Sequence, residues 1–308
     1  MDIATITFSY TDGTNASYIP IDFKFTRERY TPYTTLEGHL LTARDITDIN
    51  TVYLYINNKL VHCGMADFIQ RKNAKGRNLI TFTSRGFTLL LGQNEPVPGI
   101  ISNVNLKGLV SDNVTIPYVQ CQEDTKTVNY IYVKEKSTIW DAVCAYAYKA
   151  YKTYPFITGT NTVNAASGRG VENHSYFSET ITYYGETLST SGLLSQVYMA
   201  DSEGKYSYTK KNGHSENRKI VKKKYYPLDR QWYSSPEDGL QSKLNYSNKG
   251  YISAELQYKG HKFENIMDRA VYQNGTFLIN SERISAIEVT GNKRGIFTKV
   301  TVYRDSYA

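Results

Sequence analysis

The chain has 308 residues, a mass of 35.1 kDa and a net charge of +7, with a pI near 9.0 and a mean hydropathy of -0.48. That length allows about two or three domains of ordinary size. No window approaches the roughly 20 apolar residues of a membrane-spanning helix, so stable membrane insertion is not expected.

The N-terminus has no basic region followed by an apolar one, so it reads as a first strand and not as a secretory signal. Ile3, Thr5 and Thr7 face one way and Ala4, Ile6 and Phe8 the other. A turn cluster at residues 11–15 precedes a second alternating run with Ile19, Ile21, Phe23 and Phe25 on one side; Pro20 puts that run near a sheet edge. Residues 35–45 read as a loop or a long insertion.

From Asn50 the period is two. Val52, Leu54 and Ile56 alternate with Tyr53 and Tyr55, and Asn57-Asn58 is a two-residue turn that tolerates positive φ. Leu60 and His62 begin the return strand. Residues 67–71 and 79–83 read as two further strands, joined by a basic turn at 72–78.

Residues 79–98, LITFTSRGFTLLLGQNEPVP, form a joint. Ile80, Phe82 and Ser84 share a strand face. A corner is expected at Ser84, Arg85 and Gly86. Phe87, Leu90 and Leu91 then fall at helical spacing, one face of a short helix. Gly92 and Asn94 end that short helix, and Pro96 and Pro98 fix an extended exit.

Residues 115–122 and 128–133 read as strands. The clearest helix covers residues 138–152, with Trp140, Val143, Cys144, Ala147 and Tyr151 on one stripe. Thr138 and Asp141 form a capping pair, and Pro155 ends the helix. A hairpin is expected at 156–163. Further strands fall at 180–184 and 206–208, with 188–199 either strand or short helix. Pro236 opens a helix, residues 251–258 alternate, and Phe263, Ile266, Met267, Ala270 and Val271 form another helical stripe closed by Asn274-Gly275. Two strands, 284–290 and 296–303, close the chain around a Gly-Asn-Lys-Arg-Gly turn.

Chemistry-bearing patterns are scarce. No phosphate-binding loop, nucleophile elbow, zinc-protease or dinucleotide fingerprint occurs. Residues 167–170 (Ser-Gly-Arg-Gly) read as a loop. The carboxylate pairs Glu123/Asp124 and Glu237/Asp238 read as solvated. Cys63, Cys121 and Cys144 are too scattered for a disulfide framework, which fits a reducing compartment. His62 and Cys63 are adjacent, and on a strand they face opposite ways. No cofactor or metal is expected. The basic run with Lys219, Lys222, Lys223 and Lys224 is either a polyanion or partner patch, or a solvated strand edge that resists pairing. The 28 tyrosines, against 11 phenylalanines, suit half-exposed strands and protein interfaces.

Two segments carry a family resemblance. ITFTSRGFTLLLGQNEPVP resembles the first-domain exit of contractile-tail baseplate hub proteins. NYIYVKEKSTIWDAVCAYAYKAYKTYPFITGTNTV resembles the strand, Ser-x-x-Trp-Asp helix and proline-containing strand of their next domain. Together they cover about a quarter of the chain. ISAIEVTGNKRGIFTKVTVYRD is similar to the last hairpin, whereas residues 26–50 and 205–275 lie outside the resemblance. The relatives suggested are hubs of PBSX-type prophages and R-type bacteriocins, with the late control D group further off.

The resemblance implies a mainly β fold with an α/β insertion, with Phe87, Leu90 and Leu91 packed as a plug under the first barrel. Two tube-like β-barrel domains (1–105 and 171–308, the second with a helical insertion around 236–275) would flank an inserted domain (106–170). It implies a non-enzymatic homotrimer that adapts a sixfold tail tube to a threefold central spike. Tape measure and LysM-type baseplate proteins are further partners, and nucleic acid passes only in transit. Assembly would occur in the bacterial cytoplasm, before incorporation into a phage or bacteriocin tail. The competing reading is a basic β-rich module that binds nucleic acid or an anionic glycan; a cell-wall hydrolase is a third.

Overall fold

A computed structural model describes residues 2–42, 48–74, 77–112, 115–166, 171–216, 218–228 and 235–304. The chain is mainly β, with several sheets and a few helices. The N-terminal strands are β1 (Ala4–Tyr10), β2 (Asn15–Tyr18), β3 (Asp22–Glu28), β4 (Thr35–Thr42), β5 (Ile49–Ile56), β6 (Lys59–Ala74) and β7 (Arg77–Gly86). They pair antiparallel in the order β3-β4-β7-β6-β5-β1-β2. Alternation selects the inner face: Ile6, Phe8, Phe25, Leu36, Leu40, Leu54, Ile80 and Phe82 all enter one core. The sheet curls until β4 and β2 meet, and there the Thr42 hydroxyl donates to the Tyr18 hydroxyl at 3.4 Å. Asn57 and Asn58 adopt φ of 49° and 62° in the β5–β6 turn, as their residue types predict.

A 3-10 helix (Phe87–Gly92) leads to β8 (Gly99–Val104), α1 (Leu106–Ser111), β9 (Gln120–Cys121), β10 (Val128–Val133), α2 (Ile139–Tyr151), β11 (Phe156–Thr158) and β12 (Thr162–Asn164). β8 pairs with β10, and β11, β12 and β9 form a small sheet. α2 fills a second core between them. Next come β13 (Asn173–Tyr176) and β14 (Ile181–Leu188), then β15 (Gln196–Met199), β16 (Tyr208–Lys211), the short α3 (Gly213–Glu216), β17 (Lys223–Tyr226) and α4 (Pro236–Ser247). The sheet β16-β15-β17 and α4 enclose a small third core of Val197, Met199, Leu240 and Leu244.

β18 (Ile252–Lys259), β19 (Arg269–Asn274), β20 (Phe277–Asn292) and β21 (Gly295–Tyr303) complete the chain. β20 pairs with β3, so the order β14-β18-β21-β20 continues directly into the N-terminal strands as one 13-stranded sheet that includes β13 and β19. Its inner residues from both ends of the chain share a single core. Among the described residues no helix is long and apolar enough to cross a membrane, and no three His, Cys, Asp or Glu side chains are grouped to hold a metal ion.

Several expectations need correction. The stripe Phe263, Ile266, Met267, Ala270 and Val271 is not a helix. Phe263 and Met267 have φ of 61° and 75°, and Ala270 and Val271 lie in β19. Asn274-Gly275 is accordingly a hairpin turn, and helix around 236–275 is confined to α4. Ile19 and Ile21 are exposed because β3 starts only at Asp22, and β3 lies inside the sheet, not at its edge. Residues 35–42 are strand β4. β7 runs straight through Ser84 and Arg85, so the corner comes after Gly86. The strand at 67–71 is the second half of the single long β6. Within 115–122 only Gln120 and Cys121 pair. The loop reading of residues 167–170 lies outside the described residues.

Candidate functional site

The joint binds the first sheet to the second core. Phe87 and Leu91 are buried there with Val104, Leu106, Trp140 and Val143, and Leu90 is half-buried against them. Tyr53, Cys63 and Met65 complete the contact from the outer face of β5 and β6. The 3-10 helix is therefore not a plug under the barrel; it is wedged between the barrel's outer wall and α2. The backbone carries the same link, since the Ile139 amide, at the start of α2, donates to the Asn94 carbonyl at 2.8 Å. Asn161 crosses from the insertion to the barrel: its amide nitrogen donates to the Cys63 carbonyl at 2.9 Å, and its Oδ1 accepts from the Thr88 amide at 3.4 Å. Gly86 is required at this crossing, because a Cβ there would lie 2.9 Å from Thr34 Oγ1 and 3.0 Å from Asn161 Oδ1. Arg85 grips Asp67 with two hydrogen bonds of 2.8 and 3.0 Å. Pro96 is buried and Pro98 exposed in the exit.

α2 forms as its ends dictate. The Thr138 hydroxyl accepts from the Asp141 amide at 3.1 Å, and the Asp141 carboxylate accepts from the Thr138 amide at 2.8 Å. Lys152 closes the helix in the left-handed region at φ 57°. Trp140, Val143, Cys144 and Ala147 are buried and Tyr151 is half-buried. Burial drives the Cys144 and Cys63 thiols upward, Cys63 to about 12, so both act as small apolar residues. Asp124 is not merely solvated, since the hydroxyls of Tyr146 and Tyr151 donate to its two oxygens at 2.9 and 2.5 Å. Asp238 likewise pairs with Lys152 at 3.1 Å and joins α4 to α2.

Two clusters escaped the sequence reading. One is a tyrosine knot. Tyr30 follows β3, Tyr154 follows α2, Tyr246 lies on α4 and Tyr303 on β21. Tyr30 stands with its ring centroid 5.1 Å from Tyr154, 5.7 Å from Tyr246 and 6.3 Å from Tyr303. These residues hold the main sheet, the α2 layer and the α4 layer together, so part of the tyrosine excess serves internal interfaces.

The other is a buried polar loop, residues 260–268, which replaces the expected helix. The Asp268 carboxylate accepts from the amides of Glu172 and Asn265 (3.0 and 2.8 Å) and contacts His174 Nε2 at 3.0 Å. Glu264 accepts from the hydroxyls of Tyr176, at 2.9 Å, and Tyr258. Arg27 donates to Asn265 Oδ1 at 2.8 Å and to the Gly159 carbonyl, which ties the loop to the insertion. Burial lowers Arg27 to about 10 and His261 to about 4, while the bond to Asp268 raises His174. His62, inside the barrel between Thr34 Oγ1 (2.8 Å) and Ser84 Oγ (2.9 Å), is lowered by burial to about 3. The available signal for the loop was the absence of a Ser, Thr, Asp or Asn cap before Phe263.

The basic run is spread out and does not form a patch on one face. Lys219 is exposed at φ 54°. Lys222 donates through Nζ to the Ser191 carbonyl at 2.6 Å. Lys223 and Lys224 lie on β17, an edge strand in its sheet, and point to opposite faces. Tyr225 stacks one ring face on Tyr198 at 4.6 Å and remains exposed.

No protein-family model and no curated protein matches the chain. Solved structures do. The tail protein from Neisseria meningitidis MC58 is similar over 99% of this chain and 97% of its own, with a TM-score of 0.74 and 12% identity. The 43 kDa tail protein of prophage MuSo2 from Shewanella oneidensis is similar over 98% of both chains, with a TM-score of 0.72 and 12% identity. The E. coli c3393 protein is a component of the type VI secretion system with structural similarity to the T4 bacteriophage tail proteins gp27 and gp5. It is similar over 94% of this chain and 74% of its own, with a TM-score of 0.58 and 6% identity. At these identities the likeness is one of fold: the chain has a tail-protein fold over nearly its whole length.

Proposed function

We propose that the chain is a structural baseplate hub of a contractile phage tail or R-type bacteriocin. Three copies surround the tail axis and adapt a sixfold tube to a threefold spike. The observation that carries this reading is the end-to-end likeness to tail proteins, 99% of this chain against 97% of the Neisseria structure. The two resembling segments, at the joint and at α2, add to it. On this reading residues 1–105 and 171–308 are tube-like units, six in a trimer, and residues 106–170 are the insertion braced by the joint. The chain works through contact and not catalysis, first in the bacterial cytoplasm and then in the particle. Tape measure and LysM-type proteins are its further neighbours, and nucleic acid only passes through.

Exposed apolar residues supply surface for such contacts. Ile3 and Ile19 gather near the β20–β21 turn, and Ile100, Tyr130 and Tyr132 cover the outer face of β8 and β10. Obligate interfaces of this kind bury on the order of thousands of Å². Native mass measurement, alone and with the spike protein encoded nearby, tests the reading. A trimer that captures the spike is expected; a stable monomer that joins neither spike nor tube overturns it.

A further inference from the structure

β8 is open along one side. It pairs only with β10, in a sheet of two strands. The other side of that sheet is closed, because the Lys149 ammonium of α2 donates to the Tyr130 carbonyl at 2.6 Å and lies over the Tyr130 ring. The Tyr130 carbonyl therefore points out of the ladder. In an antiparallel pair, residues directly opposite turn outward together. Ser102 is opposite Tyr130, and Ile100 is opposite Tyr132. Ser102 and Ile100 thus direct amide and carbonyl to the open side of β8, and among the described residues no hydrogen bond meets them there. Open sides elsewhere carry charge: Glu186 on β14, Arg71 and Lys72 on the half of β6 beyond β5, Lys223 and Lys224 on β17. Residues 97–105, Val-Pro-Gly-Ile-Ile-Ser-Asn-Val-Asn, carry none. Charge is the usual guard against pairing with another chain, so β8 is an unguarded edge. Val97 and Ile100 are 80% and 69% exposed. A groove of about 330 Å³ follows the strand, with Gly108 and Leu109 of α1 in its lining and Asp112 as its one charged residue.

We propose that the open side of β8 receives an extended, uncharged segment of a different polypeptide as a third strand. Its backbone meets the amides and carbonyls of Ile100 and Ser102, and an apolar side chain lies beside Ile100 on the outer face. A third strand also suits a sheet that is marginal with two. A lipid chain would cover the amides without pairing them. A nucleic acid would meet Asp112 and no cation. A second copy is a poor occupant, in a step that rests on the hub reading: around a threefold axis copies meet through unlike surfaces, so β8 does not face its own equivalent. The open edges that a neighbouring copy then offers at β14, β6 and β17 are the charged ones.

The test uses the full chain and a fluorescein-labelled peptide of alternating threonine and valine, with a lysine at one end and a glutamate at the other. Its threonine amides are methylated, which leaves one edge able to pair and stops the peptide stacking on itself. Saturable binding by fluorescence anisotropy is expected, little changed between low and high salt because no charge is paired. Methylating the valine amides as well should abolish it. Ile100→Lys should weaken binding severalfold by placing a guard on the strand, and at so exposed a position the variant should melt like the parent protein. Ser102→Pro removes one outward amide and should abolish binding; if that variant does not fold, Ile100→Lys carries the test. The proposal is overturned by lack of saturable binding, by equal binding of the fully methylated peptide, by undiminished binding to Ile100→Lys, or by tighter binding of laurate or a ten-residue oligothymidylate. Native mass of the same samples reads the hub separately. A trimer that ignores the peptide overturns this proposal alone, and a monomer that binds it overturns only the hub reading. A dimer that Ile100→Lys dissociates shows β8 pairing with itself and overturns both.

Discussion

Two segments of this chain carry apolar residues at helical spacing, and only one is a helix. In residues 138–152 the stripe is α2, closed at its start by Thr138 and Asp141. In residues 263–271 the same spacing yields a turn with two left-handed residues followed by a strand. The difference lies in the polar residues. Those around α2 satisfy the helix's own amides. Glu264, Asn265 and Asp268 face inward and satisfy groups from β13, β18 and β3. An apolar period proposes a helix, and a cap that serves its first turn decides it.

The largest effect should come from the apolar side of this comparison. Leu91 is fully buried between the barrel wall and α2. Leu91→Asp places an unpaired charge there and should cost about 4 kcal/mol or more, enough to prevent folding. Its half-buried neighbour offers the control: Leu90→Asp should cost about 1–2 kcal/mol and leave a folded protein. Urea denaturation followed by circular dichroism separates them. Equal midpoints for the two variants would show that the wedge does not discriminate between these side chains.

On the polar side, Asp268→Ala removes the acceptor of two part-buried amides, the partner of the buried His174 Nε2 and the charge that steadies Arg27. A loss of about 3 kcal/mol is expected. Asp268→Asn keeps part of the hydrogen bonding and should lose less. If alanine is tolerated as well as asparagine, the loop is not held by its hydrogen bonds.

Acid should loosen the fold through its buried histidines. His62 and His261 have lowered values, about 3 and 4, so they are neutral when folded. Their contribution is intact above the unfolded value of about 6.5 and is lost as pH falls below it, by up to about 1.4 kcal/mol per pH unit for each. His174 runs the other way. Its folded value is raised, so its contribution is complete below about 6.5 and is lost as pH rises through the folded value. The net expectation is a lower urea midpoint at pH 5 than at pH 7, and a steeper fall in His174→Asn. A midpoint unchanged or higher at pH 5 would contradict the assignment of His62 and His261 as neutral buried groups.

Local signals made much of the sheet legible: period-two runs at residues 50–56 and 251–258, the Asn57-Asn58 turn, and the closing hairpin. β4 was not legible for a definite reason. Leu36 and Leu40 face the core, but Gly38 stands between them, where a Cβ would lie 2.7 Å from the Asp22 carbonyl oxygen and 3.2 Å from the Phe82 ring. Packing removed the middle residue of the alternation. The tyrosine knot was hidden for another reason, because residues 30, 154, 246 and 303 meet only after the sheet has closed. At the joint, the residue types gave the apolar set, while the placement of Phe87 and Leu91 outside the barrel depended on which face of β5 and β6 met α2.

The smallest effect bears most directly on the comparison. Thr138→Ala leaves every buried contact of α2 in place and removes one acceptor for the Asp141 amide. The expected cost is about 1 kcal/mol, a modest shift of the urea midpoint with no change in folded secondary structure. Hydrogen exchange locates it better than global stability does. Faster exchange should be confined to the first turn of α2, because the Ile139 amide keeps its bond to the Asn94 carbonyl. Thr138→Ser should restore protection, since its hydroxyl accepts the same amide. If the alanine variant frays α2 along its whole length, the cap is holding the helix itself. If the first turn is undisturbed, packing against the joint suffices, and the lesson drawn from residues 263–271 must rest on their buried acids alone.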